Sequence, residues 1–356
     1  MSMRETHLRH GATLAGDGIP LHYADQTREY DHALNQAVIL DRSHQGRIRL
    51  IGQKRADFLN RMSTNKLVDL NAYEGRPTIF TTDNARIIDR VVVYALDDAF
   101  LLVTEPGRAS AVAQYLQRHI FFGDDVQITD ITEQTAMFGL HGPNADTVAT
   151  DLAADIPQTE GLLAKPTSIS GQDVTLLKNK PLVGGHWQIV CNIDDASAVY
   201  DHILEAGKAS GLSPAGSLTY NVLRIRAGQP AAPEFANAIP LEIGLYDEVS
   251  FNKGCYTGQE IIARMDSRER IARVLVRLQL SEAQAAPLDI LSDGQKIGTL
   301  TSCAQAPDGI IYGLGVVKSS SDLTGSLSIG EANANVLGYA GTPPPFLQVD
   351  TQPSTS

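Results

Sequence analysis

Cysteine is scarce in this chain of 356 residues: there are three, Cys191, Cys255 and Cys303. They are far apart, with no C-x-x-C pair and no cysteine–histidine cluster. That spacing excludes the close ligand sets of a structural zinc or a self-contained iron–sulfur centre, so no metal site is expected. The same sparse usage fits a reducing cytoplasm rather than a disulfide-built secreted domain. Long apolar runs are missing too. Nothing approaches the roughly 18 uninterrupted apolar residues of a membrane span, and the opening MSMRETHLRH is charged with no apolar stretch behind it, so neither membrane nor secretion is expected. Positive charge is in deficit: Lys and Arg total 29 against 41 Asp and Glu, a formal net charge of −12. Such a chain repels a nucleic-acid backbone, and nucleic acid is excluded as a partner.

What remains is ordinary globular material, 43% hydrophobic and 20% charged, in a length sufficient for two or three cores. Short period-two runs alternate with helical stretches, and no unit repeats. RIRLIG (47–52) reads as a strand, and IIDRVVVYALDDAFLLV (87–103) as two strands hinged at Asp97-Asp98. Apolar positions at helical spacing predict helices near 108–119 and 195–209. From about Ile271 the pattern changes to short strands with Gly-rich turns: RVLVRLQL, DILSDGQKIGTLTS, GIIYGLGVVK. The expectation is an α+β chain: a mixed region of two interwoven subdomains over 1–270, a small all-β domain over 271–340, and a disordered tail rich in Pro, Ser and Thr over 341–356.

The stretch KGCYTGQE (253–260) concentrates chemistry. Thr257 followed by Glu260 and an apolar pair reads as a capping box, which sets Cys255 just ahead of a helix start. A helix N-terminus and the nearby Lys253 both favour a thiolate. The bland alternative is a tight turn at Gly254 and Gly258, with a solvated lysine and a small filler cysteine.

SFNKGCYTGQEIIARM closely resembles the signature of the YgfZ-like folate-binding proteins, which assist iron–sulfur cluster assembly and are relatives of the aminomethyltransferase (T-protein) of glycine cleavage. Further stretches resemble the same group: the opening from IPLHYADQ to RMSTN, LHGPNA (140–145), NVLRIRAGQP (221–230) and IGTLTS (297–302). Together they span about nine tenths of the chain. The resemblance implies a T-protein-like folate-binding core with a C-terminal barrel and tetrahydrofolate as ligand. It also implies partners among iron–sulfur assembly factors or client enzymes. The alternatives are a folate-dependent aminomethyltransferase or demethylase, and a non-catalytic scaffold.

By the same resemblance, Asp89 in RIIDRVVVY matches the folate-facing carboxylate of the aminomethyltransferases, and Arg90 replaces a second Asp. A carboxylate there can orient a donor and stabilise positive charge on a folate amine; its alternative is the wet face of a half-buried strand. Gln188 falls where a carboxylate is expected and Tyr220 where a guanidinium is, which counts against full glycine-cleavage activity. Trp187, the only tryptophan, offers a ring for pterin stacking or an ordinary core side chain. Lys253 and Tyr256 join the folate-contacting set, and Cys255 joins Asp89 as a reacting group. Arg264, Arg268, Arg270 and Arg273 form a basic cluster suited to acidic partners or to a solvated face.

Overall fold

A computed structural model describes residues 2–157 and 159–350, with the side chains of 348–350 left out of the description. Two compact units emerge. One comprises the chain up to Leu59, Leu67–Pro77 and Val91–Tyr220; the other comprises Asn60–Lys66, Thr78–Arg90 and the chain from Asn221 on.

The first unit is built on strands of an eleven-stranded sheet. Four of them, Ala37–Asp41, Thr135–Gly142, Gly185–Asn192 and Gln172–Lys178, lie side by side, all antiparallel. Alternation sorts their side chains. Phe138, Leu140, Trp187, Ile189 and Cys191 enter one core with the helices Ala145–Leu152 and Ala196–Ala206. Met137 and Val190 face the other side, with Val92, Tyr94 and Val103. The strands Ile87–Ala95 and Ala99–Pro106 pair antiparallel around Asp97-Asp98, the hairpin read from the sequence. The helices Ala109–Gln117 and Ala196–Ala206 fall where helical spacing predicts them. The boundary between units runs through two strands, Glu74–Thr81 and Ile87–Ala95, whose residues divide at Pro77 and Arg90.

The second unit carries a closed six-stranded barrel: Arg273–Leu280, Ile311–Lys318, Gln295–Gln305, Leu288–Ser292, Leu327–Ile329 and Ala332–Tyr339, the last pairing back with the first. Its interior is narrow. A Cβ at Gly313 would meet Leu280 and Leu300 at 2.9 Å, and one at Gly315 would meet Ile290 at 2.5 Å, so the alternation in IYGLGVV is the space a small barrel leaves. Residues 221–270, placed with the mixed region by pattern, group instead with the barrel. Ile225, Phe235, Ile243 and Leu245 pack on Leu275 and Leu314 of its outer wall. Of the tail expected over 341–356, Pro345–Asp350 form a 3-10 turn, and 351–356 lie outside the described residues. Among the described residues, no helix is long and apolar enough to cross a membrane.

Candidate functional site

In the second unit the strand residues Asp89 and Arg90 are both buried, at 1% and 8% exposure. Burial removes the wet-face alternative for Asp89, whose Oδ1 accepts the Arg90 backbone N–H at 2.9 Å. Arg90 takes its anion from elsewhere. Its Nε and Nη2 donate to the two oxygens of Glu248 at 2.7 Å each, a fork-to-fork pair with Glu248 1% exposed. Sequence reasoning passed over Glu248. The available signal was an arginine inside an apolar strand, which demands a buried carboxylate partner, and a DEVS segment just ahead of the signature.

KGCYTGQE follows five residues later. Lys253 points its ammonium at the segment Asn60–Lys66, donating to the carbonyl oxygens of Ser63 at 2.6 Å, Asn65 at 2.8 Å and Asn60. Thr64, inside that segment, donates its hydroxyl to the Glu248 carbonyl at 2.8 Å and receives the Ser250 N–H at its own carbonyl. The Asp89–Arg90 strand, Glu248 and the signature are thus tied to one short segment. Burial pushes the Lys253 ammonium down to about 7. Its three donors go to backbone carbonyls, so its contribution to a neighbouring thiolate is limited to the long-range effect of its charge. The Tyr256 ring centroid lies 5.1 Å from the Lys253 nitrogen, and burial pushes its phenol up.

Cys255 is exposed, Cys303 half-buried and Cys191 buried; burial pushes both of the latter thiols up, Cys191 to about 12. The expected capping box is absent. Gly258 holds the N-cap position at φ 84° with no side-chain cap, and the helix runs Gln259–Ser267. A Cβ at Gly258 would come within 2.7 Å of the Thr82 carbonyl oxygen. The left-handed glycine places Thr257 outside the helix, where its carbonyl accepts the Thr81 hydroxyl at 2.5 Å, and Glu260 pairs with Arg264 at 2.7 Å instead of reaching back. Of the basic cluster, Arg273 is held by Glu242 while Arg268 and Arg270 are exposed.

The first unit collects the other residues singled out in the sequence. Trp187 lies in the core, its Nε1–H donating to Asp146 at 2.7 Å. Gln188, one residue on and therefore on the opposite face, accepts from Asn179 at 3.4 Å and donates to Gln45 at 3.1 Å. Arg42 donates to the same Gln45 oxygen and stacks its guanidinium 3.8 Å from the Tyr220 ring centroid. A guanidinium does stand beside Tyr220, supplied by a different strand end. A Cβ at Gly139 would lie 3.2 Å from both Arg42 and His141, so glycine makes the room. His141, fully buried, stacks on His186 at 4.1 Å and meets the Tyr220 ring edge-on; burial, then His186 and Arg42, hold it well below the usual imidazole range. Arg42, His141 and His186 are visible in the sequence only as members of LDRSH, LHGPNA and GGHWQI, with nothing to single them out.

A model of the GCVT N-terminal domain matches residues 3–253. A putative chloroplastic transferase of Arabidopsis thaliana is 31% identical, covering 97% of this chain and 79% of the other. An aminomethyltransferase of Halalkalibacterium halodurans is 26% identical over 82% and 81% of the two chains. Among solved structures, the glycine cleavage system aminomethyltransferase T from Bartonella henselae superposes with a TM-score of 0.79 at 23% identity, covering 97% of each chain, which shows a shared fold. The chain belongs to the GCVT family.

Proposed function

We propose that this member of the GCVT family binds a reduced folate against Asp89 and supports assembly or repair of [4Fe–4S] clusters in client enzymes, with Cys255 as its reactive thiol. The observation that carries the folate reading is the buried Asp89 beside an Arg90 whose guanidinium is neutralised by Glu248. A carboxylate withdrawn from water in this way favours a cationic or N–H-bearing partner, as a tetrahydropterin amine is. When bound, the folate would supply the one-carbon chemistry; Asp89 orients it, and Lys253 fixes the segment that carries Cys255. The iron–sulfur part rests on the KGCYTGQE string. Its exposed cysteine is the most accessible of the three.

The second reading is a working aminomethyltransferase, favoured by the retained Asp89 and by the names of several relatives. Gln188, hydrogen-bonded to two other amides, and Tyr220, covered by Arg42, speak against it. Calorimetric titration with tetrahydrofolate, 5-formyl- and 5,10-methylene-tetrahydrofolate is the primary test, with Asp89→Asn expected to weaken binding about tenfold. Absence of binding at high micromolar concentration overturns the folate reading. Ammonia release from an aminomethyl-lipoyl carrier at the rate of a genuine aminomethyltransferase promotes the second reading. In cells, Cys255→Ala should lower [4Fe–4S] enzyme activities while the protein stays abundant; unchanged activities remove the iron–sulfur role.

A further inference from the structure

Beside the barrel of the second unit lies a cleft of about 860 Å³ that the folate reading does not use. Its lining is mostly apolar, with the buried Ala238 and the half-buried Ile297 and Val316 as a floor and the exposed Ala236 and Pro287 at the rim. Its volume is that of a small-molecule site.

Three cations line the same cleft from three neighbouring strands: Arg273, Lys318 and Lys296. Arg273 and Lys318 are directly paired across antiparallel strands, so two positive charges share one face of the sheet. Like charges in that arrangement repel. Arg273 is relieved by Glu242 at 2.6 Å and Lys296 by Asp289 at 2.6 Å. Lys318 has no carboxylate partner among the described residues; its ammonium donates only to the Lys296 carbonyl oxygen at 3.3 Å. The cleft also holds the carboxylate of Glu234, but that group is satisfied by Arg224 at 3.2 Å and by the Ser302 hydroxyl at 2.6 Å. One positive charge is therefore left over at the edge of an apolar floor, in a protein whose net charge is −12.

We propose that this cleft binds an amphipathic monoanion, its anionic head on Lys318 near the Thr299 side chain and its apolar body along Ala236, Pro287 and Ile297. A compact dianion such as phosphate is the poorer fit, because the other two cations already have carboxylates and the floor offers it nothing. A fatty carboxylate or an aromatic sulfonate satisfies both halves.

The test is fluorescence titration of the full chain with anilinonaphthalene sulfonate, followed by competition with dodecanoate, dodecanol and inorganic phosphate. One saturable site is expected, displaced by dodecanoate and at least about tenfold less well by either dodecanol or phosphate, since removing a charge-assisted contact or the apolar body forfeits a comparable share of the affinity. Lys318→Gln should weaken dodecanoate about tenfold but dodecanol little. Ala236→Trp, at an exposed position on the rim, should abolish both. Unchanged thermal midpoints in the two variants show that they are folded. No saturable site, binding indifferent to both substitutions, or phosphate competing as well as dodecanoate overturns the proposal.

Discussion

Burying a guanidinium costs several kcal/mol unless an anion meets it, and Arg90 meets Glu248 through two bonds of 2.7 Å. Removing either partner leaves the other charge stranded, so Glu248→Gln should destabilise the protein by about 3 kcal/mol, read from urea unfolding. Pairing it with Arg90→Met should recover part of that loss. A single substitution that costs nothing would show that the pair is not buried as described. Lys253 makes a different prediction. Its folded pKa of about 7 lies below the unfolded value of 10.5, so between the two the unfolded chain holds more protons and stability rises with pH. Relative to Lys253→Met, which has no such group, the wild type should gain stability from pH 7 towards about pH 10 and show no change in the difference below pH 7. The opposite slope would mean that the three carbonyls outweigh burial and hold the ammonium charged. Asp89 is singled out by the resemblance of RIIDRVVVY to the aminomethyltransferases, which points to one position. Glu248 and Arg42 are not, because each matters only through a partner far away in the chain.

At the scale of the element, the helix Gln259–Ser267 shows where local pattern misleads. T-x-x-E is a capping box only when the Thr has extended backbone at the N-cap, and here Gly258 at φ 84° occupies that position. Gly258→Ala should cost about 2 kcal/mol, from left-handed strain and from the approach to the Thr82 carbonyl. The far end of the helix offers the converse. Glu269 sits at φ 50°, with the N–H groups of Glu269 and Arg270 returning to Asp266 and Met265 in the manner of a Schellman turn. Glycine is the favoured residue at that place, so Glu269→Gly should raise stability by about 0.5–1 kcal/mol in thermal unfolding. A loss on that substitution would show that the Glu269 side chain contributes something its exposed position does not reveal. The hairpin at Asp97-Asp98 and the barrel strands are legible for the reason that the helix start is not. Their signal is a β-rich run sustained over many residues, which one unusual φ cannot shift.

For the whole molecule, composition carries the fold class but not the assembly. The Gly-punctuated strands after Ile271 announce a small all-β domain, and such a domain read from pattern alone looks self-sufficient. Its inside is, with Val276, Leu278, Ile290, Leu300 and Ile329 filling the closed sheet. Its outside is not. Leu275 and Leu314 are buried under Ile79, Ile225, Phe235, Ile243 and Leu245, all from earlier in the chain, and Ser302 closes a buried network with Arg224 and Glu234. Leucine-sized side chains stripped of such cover each forfeit about 1.5–3 kcal/mol of burial, and a domain of fewer than 90 residues has little stability in reserve. A fragment starting at Ile271 should therefore lack a cooperative unfolding transition and show poor amide dispersion by NMR. One starting at Asn221 regains Ile225, Phe235, Ile243, Leu245 and the Arg224–Glu234–Ser302 network, yet still lacks Ile79 and the carbonyls of Asn60–Lys66 that hold Lys253. It should fold less stably than the full chain, with hydrogen exchange fastest around Lys253 and the signature. If the Ile271 fragment unfolds cooperatively with a stability near that of the intact protein, the outer-wall cluster contributes little and the boundary drawn from sequence pattern is the physical one.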